Sequence, residues 1–225
     1  MSFSQKTNDF YRKLSLSVRL PIGIEAMNPY REDKVSSYVE TFLKSFYSDS
    51  NERVFVFGIN PGRFGAGLTG IAFTDPVAFQ DFCGVKNDLQ KKRELSSEFV
   101  YSFINQWGGV RKFFEKFFLT AVSPLGFVRQ GKNYNYYDDR ELLNAVEPFI
   151  LDSLKEQISI GASRKAAIVL GGGKNFEFLS RLNKENGFFQ KILPLDHPRY
   201  IMQYKRKHLA RYLDEYQKVF SEALI

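Results

Sequence analysis

Residues 53–74, RVFVFGINPGRFGAGLTGIAFT, decide how the rest of the chain is read. Val54–Phe57 is an unbroken β-branched and aromatic run closed by Gly58, the pattern of a strand buried on both faces of a parallel sheet. The chain then enters a glycine-rich loop. Pro61 removes a backbone donor and pushes Asn60 toward an extended conformation, while Gly62, Gly65 and Gly67 leave no Cβ between the backbone and whatever binds there. Asn60 is therefore a stiffly held amide at the carboxyl end of a strand, the edge where open α/β sheets bind ligands. Alone, Asn-Pro-Gly reads as a tight turn; the longer loop makes it a site.

Outward from this stretch the elements alternate. Further strands are expected at Phe117–Val122, Ala166–Leu170 and Phe188–Leu193, with the first running Val54–Ile59. Helical patterns cover Gln5–Ser17, Lys34–Phe46, Ser97–Trp107 with a continuation near Phe113, Asp139–Ile158, Asn175–Asn183 and Gln203–Ala223. Asp75 before Pro76 is a helix cap. Strands separated by helices require right-handed parallel crossovers, so the fold class is α/β: a three-layer α/β/α sandwich around a central, mainly parallel four-stranded sheet. At 225 residues and 44% apolar content, residues 1–225 are expected to form one domain.

Charge and cysteine usage narrow the classes. A net charge of +7 suits a polyanionic partner, since neutralising phosphates releases counterions. The single cysteine, Cys83, rules out an internal disulfide and a four-cysteine iron–sulfur cluster, and reads as a small buried hydrophobe. No apolar run has the length of a membrane span and the N-terminus lacks a signal-peptide core, so a cytoplasmic, monomeric protein is expected. Of two histidines, His208 sits in a Lys/Arg-rich helical pattern, whereas His197 precedes a proline at a strand end and is the better site candidate.

The pattern Gly58-x-Asn60-Pro61-Gly62-x-Phe64-Gly65-x-x-x-Thr69-Gly70-x-x-Phe73 resembles the first active-site motif of the single-strand-selective monofunctional uracil-DNA glycosylases, within the uracil-DNA glycosylase superfamily; His197-Pro198 resembles the start of its second. The resemblance implies that Asn60 positions the hydrolytic water, that Gly62 sits beside C5 of the base, that Phe73 stacks on the flipped base, and that His197 stabilises charge on the departing base. Gly58, Ile59, Pro61 and Phe64 complete the implied base pocket. It implies no metal and no cofactor, an Asn/His site without a catalytic carboxylate, and DNA, single- or double-stranded, as partner.

Two departures stand out. After His-Pro the chain reads RYIMQYK, which leaves Arg199 or Tyr200 as the wedge into the duplex. Ala121 occupies the position where better-known members carry an Asn that reads the uracil edge, a contact worth roughly 1–3 kcal/mol. Either Ser123, or Asn133 and Asn135, replace that amide, or base specificity is broader than uracil, as in an outlying bacterial branch. The turn Gly171-Gly172-Gly173-Lys174 lacks the spacing of a triphosphate-binding loop, and Lys174 reads equally as a DNA-backbone contact or a solvated lysine. Lys205 belongs to a basic run after His197, interleaved with Tyr200 and Tyr204, that can grip phosphates or simply face solvent.

The expected function is thus a monofunctional DNA repair glycosylase that hydrolyses the bond of a damaged base, uracil or another deaminated base. The alternatives are a non-catalytic DNA-binding module of the same fold and an α/β hydrolase of free nucleosides or nucleotides.

Overall fold

The computed structural model describes residues 1–225. Its elements in chain order are α1 (Phe3–Lys13), β1 (Ile24–Met27), α2 (Asp33–Phe46), β2 (Arg53–Gly58), α3 (Ala66–Thr69), α4 (Pro76–Asp81), α5 (Leu95–Trp107), α6 (Val110–Lys116), β3 (Phe117–Ala121), β4 (Gly126–Arg129) and β5 (Lys132–Tyr134). Then follow α7 (Arg140–Ser159), β6 (Ala162–Leu170), α8 (Lys174–Asn186), β7 (Lys191–Leu195), α9 (Pro198–Tyr204) and α10 (Leu209–Glu222).

The central sheet is parallel throughout, in the order β3-β2-β6-β7. β2 is buried along its whole length, as its unbroken apolar run dictates. It pairs with β3 from Val54↔Phe117 to Gly58↔Ala121 and with β6 through Phe55↔Ala167 to Phe57↔Val169. The connection from β2 runs to one side and the chain later crosses back to β6 on the other, so right-handed crossovers put helices on opposite faces. A crevice opens at the carboxyl ends of β2 and β6, where the strand order switches direction. Arg53 enters this core fully buried; its Nε donates to the Phe114 carbonyl and its guanidinium to Asp49, so the charge is paired where it is least solvated.

A second, antiparallel sheet, β1-β4-β5, has no counterpart in the sequence reading. Its strands are three or four residues long, too short for an alternating pattern to register. The β4–β5 hairpin turns on Gln130-Gly131, both at positive φ (49° and 69°), the geometry that matches strand twist.

Several boundaries also differ: α1 spans Phe3–Lys13 rather than Gln5–Ser17, and β6 begins at Ala162 rather than Ala166. The strand expected at Phe188–Leu193 is β7, Lys191–Leu195; Phe188 and Phe189 are buried as irregular chain, because the Asn183 side chain takes both the Phe189 N–H and its carbonyl. The single helix expected over Gln203–Ala223 is α9, a short 3-10 turn and α10. Pro198 starts α9 early, and at Lys205 the backbone leaves helical geometry. Asp75 caps α4 as read, accepting from the Val77 and Ala78 N–H groups.

Candidate active site at the strand ends

The loops after β2, β3 and β7, the β4–β5 hairpin and the residues before α5 enclose a cavity of about 1000 Å³. Asn60 leaves the end of β2 and its amide is clamped. Oδ1 accepts from the Tyr136 N–H at 3.1 Å, and Nδ2 donates to the Tyr134 carbonyl at 3.2 Å and more weakly to that of Pro61. Oδ1 keeps a second lone pair for a water. The clamp also ties the end of β5 to the end of β2, so the sequence-distant 134–136 segment orients the group that the first motif supplies.

Phe73 is seated by the glycine two residues before Asn60. A Cβ on Gly58 would lie 2.5 Å from Phe73 Cζ, so only glycine lets the ring lie flat against the strand end. Phe73 itself holds φ of 56°, a left-handed conformation that costs a non-glycine residue about 1–2 kcal/mol. Buried Thr69 sustains it. Its hydroxyl lies 2.7 Å from the Thr74 carbonyl and accepts the Ile71 N–H.

His197 faces Phe73, with ring centroids 5.9 Å apart. It caps α9: Nδ1 accepts from the Arg199 N–H at 3.1 Å. With Nδ1 occupied as an acceptor, the proton of the neutral ring is on Nε2. Burial first, and then the Arg199 guanidinium, hold the ring's pKa down to about 4, so it is neutral at physiological pH and offers a donor rather than a charge.

On the other side of the cavity, Gly62 stands close to Asn133 and Glu94. A Cβ there would meet Asn133 Nδ2 at 3.3 Å and Glu94 Oε1 at 3.7 Å. Asn133 is positioned by accepting the Arg63 N–H through Oδ1, and Asn135, also in the lining, donates to Asp138. Ile59, Pro61 and Phe64 line the cavity too. Arg199 and Tyr200 stand on its rim; Lys205 lies behind, 5.9 Å from the Tyr200 ring. Lys174 is exposed over Tyr137, outside the lining.

One expectation is corrected. Ser123 cannot replace an amide in the pocket: it is fully buried and its hydroxyl donates to the Leu125 carbonyl, which turns the chain into β4. The wall also carries a carboxylate. Glu94 lines it, its backbone N–H donating to Asp75 and its carboxyl pressed against Gly65, with burial and then the Asp75 charge raising its pKa. Nothing in the sequence marked Glu94, a single acid in an irregular segment. The rim residues Lys92 and Arg93 were also missed, although the basic run 86–93, KNDLQKKR, was a signal that could have found them; Lys92 Nζ lies 3.6 Å from the centre of the Phe64 ring and so stands over the motif.

A family model described as the uracil DNA glycosylase superfamily matches residues 45–221, which include every residue lining this cavity except Tyr11 and Tyr30. The chain belongs to the uracil-DNA glycosylase superfamily. It is similar over nearly its full length to a solved structure, that of wild-type Pedobacter heparinus SMUG2, with 38% identity, a TM-score of 0.95 and coverage of 99% of this chain and 98% of that one. No curated protein matches it. Membership accounts for the parallel sheet and for a site at its carboxyl edge, and it places a DNA glycosylase type of hydrolase on this scaffold. No helix is long and apolar enough to cross a membrane.

Proposed function

We propose that residues 1–225 act as one monofunctional DNA repair glycosylase that draws a deaminated base, uracil among them, out of DNA and hydrolyses its N-glycosidic bond. The observation that carries this reading is the pairing of a clamped amide, Asn60, with a neutral histidine, His197, across one cavity floored by Phe73. Cleavage passes through an oxocarbenium-like sugar and an anionic base, so a catalyst needs a held water and a donor aimed at the leaving group. In this reading the base stacks on Phe73, Asn60 Oδ1 accepts a hydrogen bond from the attacking water and holds it in place, His197 Nε2–H donates a hydrogen bond to a base carbonyl as negative charge builds there, and the proton that the water sheds after attack passes to solvent. The C–N bond breaks toward the base, water forms the new C–O bond, and the strand is left with an abasic site.

Gly62 leaves the C5 side open, with Asn133 and Glu94 beyond it. Phosphates are held from two sides, by Arg199, Lys205 and, farther off, Lys174, and by Arg63, Lys92 and Arg93 on the opposite rim, while Tyr200 wedges into the stack. The test is release of free base from uracil- and hypoxanthine-containing oligonucleotides, single- and double-stranded, by wild type and Asn60→Ala. Release that vanishes in the variant while DNA binding persists supports the reading. Binding without release by wild type would instead make the chain a non-catalytic module, and release from free nucleosides alone would make it a small-molecule hydrolase.

A further inference from the structure

Ala121 puts a methyl group where an amide would read the base, so recognition must come from elsewhere in the wall. The buried tyrosines show where. Tyr47, Tyr101, Tyr136 and Tyr216 each have a hydroxyl partner: the Phe117 carbonyl, the Thr74 hydroxyl, Asn175 Oδ1 and the Asp196 carbonyl. The other two buried tyrosines, Tyr11 at 8% exposure and Tyr30 at 9%, have no main-chain or amide partner; their hydroxyls stand beside each other, and theirs are the two buried tyrosine side chains that line the cavity.

The pair is also stiff. The rings stack at 4.0 Å and 7°, one from α1 and the other from the 3-10 turn Pro29–Arg31. The Tyr11 hydroxyl neighbours those of Tyr30 and Thr120. Gln157 donates through Nε2 to the Ala121 carbonyl, which turns its Oε1 to Thr120, and Thr120 spends its one proton there. Toward the tyrosines Thr120 can therefore only accept. A tyrosine whose proton is drawn to Thr120 presents its oxygen as an acceptor, while its stacked neighbour keeps a proton to give.

We propose that Tyr11 and Tyr30 read the hydrogen-bonding edge of the extruded base, one oxygen accepting a ring N–H and the adjacent hydroxyl donating to the neighbouring carbonyl. This rests on the glycosylase reading above and names its substrate class: bases with a lactam edge. Uracil and hypoxanthine both offer N–H beside C=O. Cytosine and adenine offer a bare ring nitrogen beside an amino group, which turns both contacts into mismatches. Two rotatable hydroxyls in place of one fixed amide accept either ring size, and Thr120 with Gln157 fixes the direction of the proton chain that excludes cytosine and adenine, while thymine and guanine, which carry the same lactam edge, must be rejected by other parts of the site.

Tyr11→Phe and Tyr30→Phe keep the stack and remove only the hydroxyls. Single-turnover release is measured for each from oligonucleotides carrying uracil and carrying N3-methyluracil, which lacks the ring N–H, with urea midpoints recorded alongside. Wild type is expected to prefer uracil to its N3-methyl form. Tyr11→Phe, which removes the acceptor, should lose roughly 10- to 100-fold on uracil, the effect of one discriminating base contact, while changing little on N3-methyluracil, so the preference collapses at an unchanged urea midpoint; Tyr30→Phe, which removes the donor to a carbonyl that both substrates keep, should lose on both. Wild-type rates in both variants, or equal losses on the two substrates in Tyr11→Phe, overturn the proposal while leaving the glycosylase reading standing. A wild-type protein that releases no base at all overturns both.

Discussion

Replacing Gly58 by alanine probes the site through its tightest contact. The added methyl would sit 2.5 Å from Phe73 Cζ and 2.8 Å from Cε2, where carbon atoms settle at about 3.5–4.0 Å. The ring must give way by about 1 Å or more. Its backbone cannot follow, because φ of 56° is held by the Thr69 hydroxyl, so the ring tips toward His197 and into the space assigned to the base. Overpacking of this kind costs about 1–3 kcal/mol of stability, and a misplacement near 1 Å at reacting groups costs roughly 10²-fold in rate. Single-turnover uracil release should therefore fall about 100-fold, with a urea midpoint lowered by no more than the overpacking figure. Gly62→Ala is the control. Its methyl meets Asn133 Nδ2 at 3.3 Å, the far end of a side chain that can shift, and Glu94 at 3.7 Å, so uracil release should stay near wild type while C5-substituted uracils lose ground. A Gly58→Ala enzyme at wild-type rate, or a Gly62→Ala enzyme as damaged as Gly58→Ala, refutes the assignment of Phe73 as the stacking face.

Two further expectations concern charge. Because the folded-state pKa of His197 is depressed to about 4 against an ordinary 6.5, the neutral ring contributes stability that is fully present above pH 6.5 and is lost as pH falls toward 4, where protonation also removes the acceptor that caps α9. Base release should thus stay level from pH 8 to about 5 and decline below; a pH–rate profile with a His197-dependent inflection near 6.5 would show that the ring works as a cation instead. Lys92→Ala should flatten the dependence of DNA affinity on salt by about 0.7–0.9 in log–log slope, one phosphate's worth, as read by fluorescence anisotropy, and an unaltered slope would remove the 86–93 run from the DNA interface.

Much of this protein is local and so is written in its sequence. The apolar run 54–57 reads as a doubly buried strand, the glycine-rich stretch to Phe73 as a rigid connection, within which the single turn α3 went unread, and Asp75, Pro76, His197 and Pro198 fix helix starts by capping rules that act over two or three residues. Asn60 and His197 were legible for the same reason. What stayed hidden depends on contacts across long stretches of chain. The hairpin that clamps Asn60 lies some 75 residues away and pairs with a four-residue strand that has no periodicity to detect. Glu94 enters the wall because Asp75 holds its backbone, and Ser123 leaves it because a neighbouring carbonyl claims its hydroxyl. Tyr11 and Tyr30 read as ordinary apolar positions of a helix and a turn; only packing brings their rings together and sets both side chains in the cavity wall. Sequence specifies which groups a chain carries and how its backbone bends nearby, whereas the partner of a buried polar group, or its lack of one, is settled by which distant segment arrives beside it.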